Sequence, residues 1–430
     1  MSVVFHPDAE MKQGSSGIAI NLHRASLRPM QNEHSVAAHW QGDLDEDRFR
    51  AWAEKLRGQL KAPRVDLGLV FVTPQYFEVA PQLLELIRVH AQVPLLVGCS
   101  SGSLIAGARE FEEDAGLVLG LYSLPGAKLE AVRFTQEQVE ESSGPAYWHF
   151  ENGVQPEQTN GWLCFADPFH LDCEAWLRSW NEAYAPLPIL GGIASGEPSV
   201  HETQIYLNGD VFREGGVAVS IGGDVAPESV ISQGCNPIGE TWTITKVEKN
   251  VIHEIGNRPA YEVLAETYAN LSPKEQKQAQ GNLFVGLVVN EYLEDFHRGD
   301  FLIRNLLNVD PDAGTLAVGA YPRPGQTIQF QCRAASTGSE DIMSLLRQAK
   351  QRLLGRPIYG GLLCSCNGRG QRLFGEPHHD AHHVQDELGP FGLTGFFCNG
   401  EIGPVGEKNF LHGYTAALAL FVKKSNPSEV

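Results

Sequence analysis

Two glycine-bracketed charges near the end of the chain carry the residue types of a binding site. The first is Asn367-Gly368-Arg369-Gly370, which follows the apolar run Ile358 to Cys366. A guanidinium grips a carboxylate or phosphate at two points. The flanking glycines let the backbone take positive φ and approach a bound group closely. The second is Asn399-Gly400-Glu401-Ile402-Gly403-Pro404, after the apolar run Leu393 to Cys398. If neighbouring strands bring these tips together, Arg369 and Glu401 can hold the carboxylate and the ammonium of one amino acid. A structural ion pair between the two is the alternative with equal weight. The plainer reading of the first is a tight turn with a solvated arginine; a turn arginine contributes little to the core, so its loss is expected to leave the fold intact.

Other groups suggest other chemistry, each beside a plainer reading. Cys364 and Cys366 alternate onto one face, and His412 is the attractive base for a nucleophilic Cys366. The plainer reading makes both thiols small core residues. Phe410 to Phe421 reads as one strand, whose alternation puts His412 and Tyr414 on one face and Gly413 and Thr415 on the other. Ser100, Ser101 and Ser195 lie in glycine turns without a Gly-x-Ser-x-Gly elbow, so their hydroxyls point to a pocket rather than to hydrolysis. Pro377-His378-His379-Asp380-Ala381-His382-His383 is the one metal-like cluster. It lacks the glutamate of His-Glu-x-x-His, and it reads better as a solvated helix start with Asp380 near the N-terminal dipole. No metal and no other cofactor is expected.

The Cys366-to-Gly370 turn, Phe374-Gly375, Gly395-Phe396-Phe397, Asn399 to Pro404 and His412 to Thr415 resemble the C-terminal FIST domain. Pro94 to Gly98, Gly191-Gly192 and Gly256 to Tyr261 are similar to the N-terminal FIST domain. The resemblance runs from about Val65 to Phe421 and is most specific in the last third. It implies a cytoplasmic small-ligand sensor for an amino acid or similar metabolite, and no known reaction. Carried onto this chain, it gives a ligand-binding set of Asn367, Arg369, Gly370, Glu401, His412 and Thr415. The alternative from another class is a Cys366/His412 enzyme acting on a small acyl or amide substrate.

The elements that must position these residues read as a repeat. Val65 to Val72 is a strand, Phe77 to His90 a helix and Pro94 to Val97 a strand, leading into Gly98-Cys99-Ser100. Gly116 to Tyr122 and Leu129 to Phe134 are strands. Gly161 to Ala166, Leu171 to Tyr184 and Pro188 to Leu190 repeat the order, ending in Gly191-Gly192-Ile193-Ala194. Thr203 to Leu207 and Val211 to Ile221 form a hairpin across Asn208-Gly209. Ile358 to Cys364, the helix after Asp380 and the strand ending at Cys398 make a third copy. Leu283 to Arg333 looks like a fourth with no clear helix. Asp43 to Leu60 and Pro259 to Tyr268 are helices. The fold class is α/β: two packed domains with mixed sheets, built from strand–helix–strand–turn–strand units. Residues 1–41 form a loosely ordered segment, 42–245 the first domain and 246–430 the second.

Composition bounds the partners. The 430 residues carry 33 basic and 52 acidic side chains, a formal charge of −19. That excludes the basic footprint of a nucleic-acid binder and disfavours anionic membrane surfaces. No stretch approaches the ~20 apolar residues of a membrane helix, and no secretion signal is read at the N-terminus. The eight cysteines contain no Cys-x-x-Cys pair, which fits a reducing cytoplasm. No kinase, receiver or DNA-binding segment is read, so output is expected through a protein partner or self-association.

Overall fold

The computed structural model describes residues 32–112, 114–196 and 201–425. Three six-stranded mixed sheets share one plan. Each is centred on a parallel pair of buried strands: Leu67–Val72 with Leu96–Ser100, Trp162–Ala166 with Ile189–Ile193, and Ile358–Cys366 with Leu393–Cys398. An antiparallel strand flanks each pair, namely Gly116–Tyr122, Gly216–Gly223 and Ala416–Lys423. Outside these lie Ser35–Gln41, Ala127–Phe134 and Val225–Ser232. The repeat expected from sequence is therefore a true threefold, counted in sheets.

The sixth-strand side of every sheet is completed from elsewhere. The hairpin Leu104–Ala106/Arg109–Phe111 of the first unit pairs with strand Leu393–Cys398 of the third. The hairpin Ile205–Leu207/Asp210–Phe212 of the second pairs with Leu96–Ser100 of the first. The hairpin Gly400–Val405/Lys408–His412 of the third pairs with Ile189–Ile193 of the second. The exchange thus closes into a ring.

The inner faces of the three sheets pack on one shared core. At its middle Phe71, Phe165 and Phe396, one from each sheet, touch in a triangle with ring centroids 4.4, 5.4 and 5.9 Å apart. Helices cover the outer faces: Glu46–Gln59 and Ala80–His90 on the first, Cys173–Tyr184 with Pro145–Glu151 on the second, Ala335–Arg352 and His379–Leu388 on the third. Each buries an apolar stripe, as Trp176, Leu177 and Trp180 do in Cys173–Tyr184.

A glycine occupies one equivalent place in each parallel pair. A Cβ on Gly98, Gly191 or Gly395 would lie 1.7, 1.9 or 2.0 Å from the facing carbonyl oxygen of Val70, Cys164 or Leu363. The turns singled out in the sequence do sit at the ends of corresponding strands. Matching the turns from sequence puts Gly98-Cys99-Ser100 level with Gly192-Ile193-Ala194 and Cys398-Asn399-Gly400, but the close glycine contacts align Gly98 with Gly191 and Gly395 instead.

Several elements differ from their sequence reading. Val211 to Ile221 is not one strand. It breaks at Arg213–Gly215 into Asp210–Phe212 and Gly216–Gly223, which serve different sheets. Phe410 to Phe421 likewise breaks at Gly413–Thr415, so no single alternation links His412 to Thr415. Gly400-Glu401 opens a strand rather than a turn. The helix Ala335–Arg352 has no counterpart in the sequence reading: its glycine at 338 and small first turn hide it, yet Ile342, Leu346 and Ala349 bury one face. Ser35–Gln41, the end of the stretch read as loose, forms an edge strand. The rest of that stretch, 1–31, lies outside the described residues.

The supposed fourth copy is different in kind. Residues 235–333 are inserted between the third unit's outer strand and its helix. They form a seven-stranded sheet whose pairings are all antiparallel, with helices Ala260–Ala269 and Pro273–Ala279 and a separate core.

Candidate functional site

The carboxyl ends of the three parallel pairs converge, and loops meet there. Ser101 and Ser195 both donate their hydroxyls to the Phe397 carbonyl. Ser195 N–H donates to the Ser100 carbonyl, and Asn399 N–H to the Ile193 carbonyl. These serines, expected to serve a pocket, instead tie the three units together at their junction. All are buried, so the hydrogen bonds satisfy groups that burial would otherwise leave unpaired.

Beside this junction, the third unit's tips and the inserted sheet enclose a polar cluster. Arg369 N–H donates to the Cys366 carbonyl, closing a tight turn, and Gly370 follows at φ +65°. The turn swings Arg369 inward to 0% exposure. Its Nε donates to Asp380 Oδ2 at 2.6 Å and its Nη2 to Oδ1 at 2.9 Å, a two-point grip. Arg369 is thus neither solvated nor marginal to the core: it holds an internal carboxylate, and its removal would not leave the fold intact as expected from sequence. Its Nη1 is buried with no partner among the described residues. A Cβ at Gly234 would stand 3.0 Å from that atom, so glycine leaves it room.

Burial alone would push the Asp380 carboxyl up, but the Arg369 charge and hydrogen bonds, with His379, carry it well below the usual range. Burial pulls Arg369 down, and Asp380 more than restores it. Asp380 lies in the first turn of helix His379–Leu388, as its sequence position suggested, but the start is not solvated: His379 and Asp380 are buried, and Asp380 is committed to Arg369.

Arg333, which sequence reading missed, is the second guanidinium of the cluster. It ends strand Thr327–Arg333 of the inserted sheet. Its Nη2 donates to the Gly368 carbonyl at 3.1 Å, and it lies 4.8 Å over the Tyr414 ring. It has no ion pair among the described residues, and its Nε is buried without a partner. Burial and the nearby Arg369 both lower its pKa. Tyr414 itself sits at φ +65° and packs edge-on against Phe284 of the inserted sheet. A bulky residue in that region is strained, and such strain concentrates at functional sites.

Glu401 faces Gly192 on one neighbouring strand and His412 on the other. Its Oε2 accepts from Thr415 N–H at 3.0 Å, and Oε1 meets the Cys398 thiol at 3.2 Å. Burial pushes Glu401 up to about 8, against the Thr415 N–H, the Cys398 thiol and the Arg369 and Arg333 charges, which pull it down. Of the sequence-read set, Arg369 and Glu401 thus feel one another's charge without forming a direct ion pair. Asn367 is exposed, with its side-chain amide donating to Asn399. Thr415 is bound to Glu401, and His412 Nε2 to the Gly403 carbonyl.

The raised Glu401 has a measurable sign. Its folded pKa lies above its unfolded one, so its contribution is fully present below about 4.5 and is lost as pH climbs towards about 8. Glu110, pushed up to about 8 by burial and then by Asp380, acts in the same direction. Between pH 6 and 7.5 the native state should lose about 2 kcal/mol for each such carboxyl. Glu401→Gln should flatten that slope in urea titrations. Equal slopes in the variant and the wild type would remove Glu401 from the account.

Nucleophilic chemistry finds little support here. Burial, then Glu401, push the Cys366 thiol up to about 12, and burial takes His412 down to about 4. At neutral pH the thiol stays protonated, and the neutral imidazole is a weak base whose Nε2 is held by the Gly403 carbonyl. The histidine cluster is committed elsewhere. His378 Nδ1 accepts from Glu110 N–H, and His382 pairs with Asp386. His379 stacks on Phe374 and bonds Asp380, and His383 packs edge-on to His379. Among the described residues no group of three or more such side chains is placed to hold a metal ion. All eight cysteines are free thiols. No helix among the described residues is long and apolar enough to cross a membrane.

The FIST N domain matches residues 66–258 and the FIST C domain residues 260–404. Their junction falls within the inserted sheet, at the Arg258–Pro259 strand. FIST domains are generally small-ligand sensory domains in signalling. An uncharacterized protein of Mycobacterium tuberculosis (strain ATCC 25618 / H37Rv) is 36% identical over 369 residues, covering 86% of this chain and 93% of the relative. One from Mycobacterium bovis is 34% identical over 370 residues, covering 86% and 94%. A solved cyanuric acid hydrolase aligns over 91% of this chain and 99% of its own at 8% identity, but with a TM-score of 0.31 it supports no inference. The two domain matches together span most of the chain, and the protein is a member of the FIST family.

Proposed function

We propose that this chain is a cytoplasmic sensor of a small amino-acid-like metabolite, bound where the third unit's tips meet the inserted sheet. What carries the reading is a charge imbalance. Of two buried guanidinium groups, Arg369 holds the one carboxylate, Asp380, and Arg333 has no ion pair among the described residues. A ligand carboxylate answers the unpartnered Arg333 Nε and Arg369 Nη1. Glu401 answers the amine, surrendering its proton as it does so. Asn367 and Gly370 border the approach, Thr415 orients Glu401, and His412 pins the strand that carries it. The ligand's arrival changes how the inserted sheet is held against the third unit, and a protein partner or self-association reads that change.

The test is a thermal-shift screen of amino acids and related acids. A ligand at a hundred times its Kd should stabilise the fold by ~2.7 kcal/mol, a melting rise on the order of several degrees. Arg333→Ala should abolish the shift, and Glu401→Gln should weaken only ligands that carry an amine. If Arg333→Ala responds as the wild type does, the ligand binds elsewhere.

A further inference from the structure

A cavity lies away from the strand tips. It is a cleft of about 650 Å³ between helix Cys173–Tyr184, the inserted sheet and strand Lys408–His412. That volume suits a small organic ligand. Its charges run against those of the chain: Arg178, Arg304, Arg323 and Lys408 line it with only Glu174 and Glu182 opposing. In a protein of formal charge −19, this concentrates positive potential in one concave place.

Arg304 is the anchor. Its side chain is 12% exposed, and its only carboxylate partner among the described residues, Glu174, stands 3.8 Å away. Nη1 is spent on the Ile303 carbonyl. Arg178, Arg323 and Lys408 form no ion pair among the described residues. The walls between the cations are apolar, with Leu177, Leu302 and Phe410 among them.

We infer that this cleft is a ligand site for a small amphipathic anion, an aromatic or aliphatic body bearing a carboxylate, sulfonate or phosphate. The apolar walls take the body. The anionic head lies between Arg178 on the second unit and Arg304 with Arg323 on the inserted sheet. It shares strand Lys408–His412 with the strand-tip site but none of that site's guanidinium groups, so the inference does not depend on the proposed metabolite.

The probe is 8-anilino-1-naphthalenesulfonate, followed by its fluorescence on the full chain. One saturable site per chain is expected. The double variant Arg178→Ala/Arg323→Ala, both exposed residues outside the core, should weaken it by about tenfold or more. Arg304→Met should weaken it further, with circular dichroism confirming the fold. Arg333→Ala, at the other site, should leave it unchanged, and the uncharged N-phenyl-1-naphthylamine should fail to compete. Unaltered affinity in the double variant overturns the inference. So does competition by the uncharged analogue as strong as the sulfonate's own binding, since the cations would then select nothing.

Discussion

Replacing Asp380 by alanine is expected to cost about 3–5 kcal/mol of folding stability, because it strands the fully buried Arg369 charge. The same change also removes the acceptor of His379 Nδ1 and a partner of the Ser365 hydroxyl. A second substitution separates the charge effect from lost packing. Arg369→Met/Asp380→Leu deletes both charges while filling similar volume, and it should recover much of the loss. Chemical denaturation of the three proteins is the measurement. An Asp380→Ala protein within about 1 kcal/mol of wild type would mean that water reaches Arg369, contrary to its burial.

A larger effect is expected at the glycines of the parallel pairs. Gly98→Ala would place a methyl carbon 1.7 Å from the Val70 carbonyl oxygen, and both atoms belong to backbone. No side chain can rotate away to relieve that contact. Widening the pair would break the ladder at the centre of the sheet. The chain should fail to yield soluble folded protein, and Gly395→Ala should behave alike, its contact being 2.0 Å. Gly58→Ala is the control. That glycine lies in helix Glu46–Gln59 with nothing within 4 Å, so alanine should be neutral or stabilising by about 0.5–1 kcal/mol. Soluble, folded Gly98→Ala protein would show that the pair is more pliant than its spacing implies.

Much of the architecture was legible because local signals agree with it. Continuous apolar runs mark strands buried on both faces, and amphipathic stripes such as Trp176, Leu177 and Trp180 mark the covering helices. What stayed hidden was long-range. No local pattern tells that strand Gly400–Val405 leaves the sheet of its predecessor for that of the second unit. The break at Gly413–Thr415 was hidden for the same reason, since both flanks are apolar enough to read as one strand.

The site was half legible. Glycine brackets pointed to Arg369 and Glu401 as special, and both are fully buried charged groups by type. Thr415, which binds Glu401, was in the sequence-read set, but the link from Arg369 to Asp380 and the presence of Arg333 were not visible. Arg333 comes from the inserted sheet and Asp380 from the next helix, and only the turn at Cys366–Arg369 brings them together. The buried state of Arg369 is a tertiary fact: an exposed turn and an inward one have the same sequence signature.

The ring of exchanged hairpins bears on how the chain can be made. On the ribosome the first unit emerges early, yet its sheet lacks the edge that Ile205–Phe212 will supply, and its own hairpin Leu104–Phe111 has no sheet to join until Leu393–Cys398 is synthesised. The second unit waits similarly for Gly400–His412. Until then the nascent protein presents unpaired strand edges, the feature that most invites aggregation. Completion of the shared core is thereby deferred until Leu393–Cys398 and Gly400–His412 have been made, and their removal should leave the earlier units without closure.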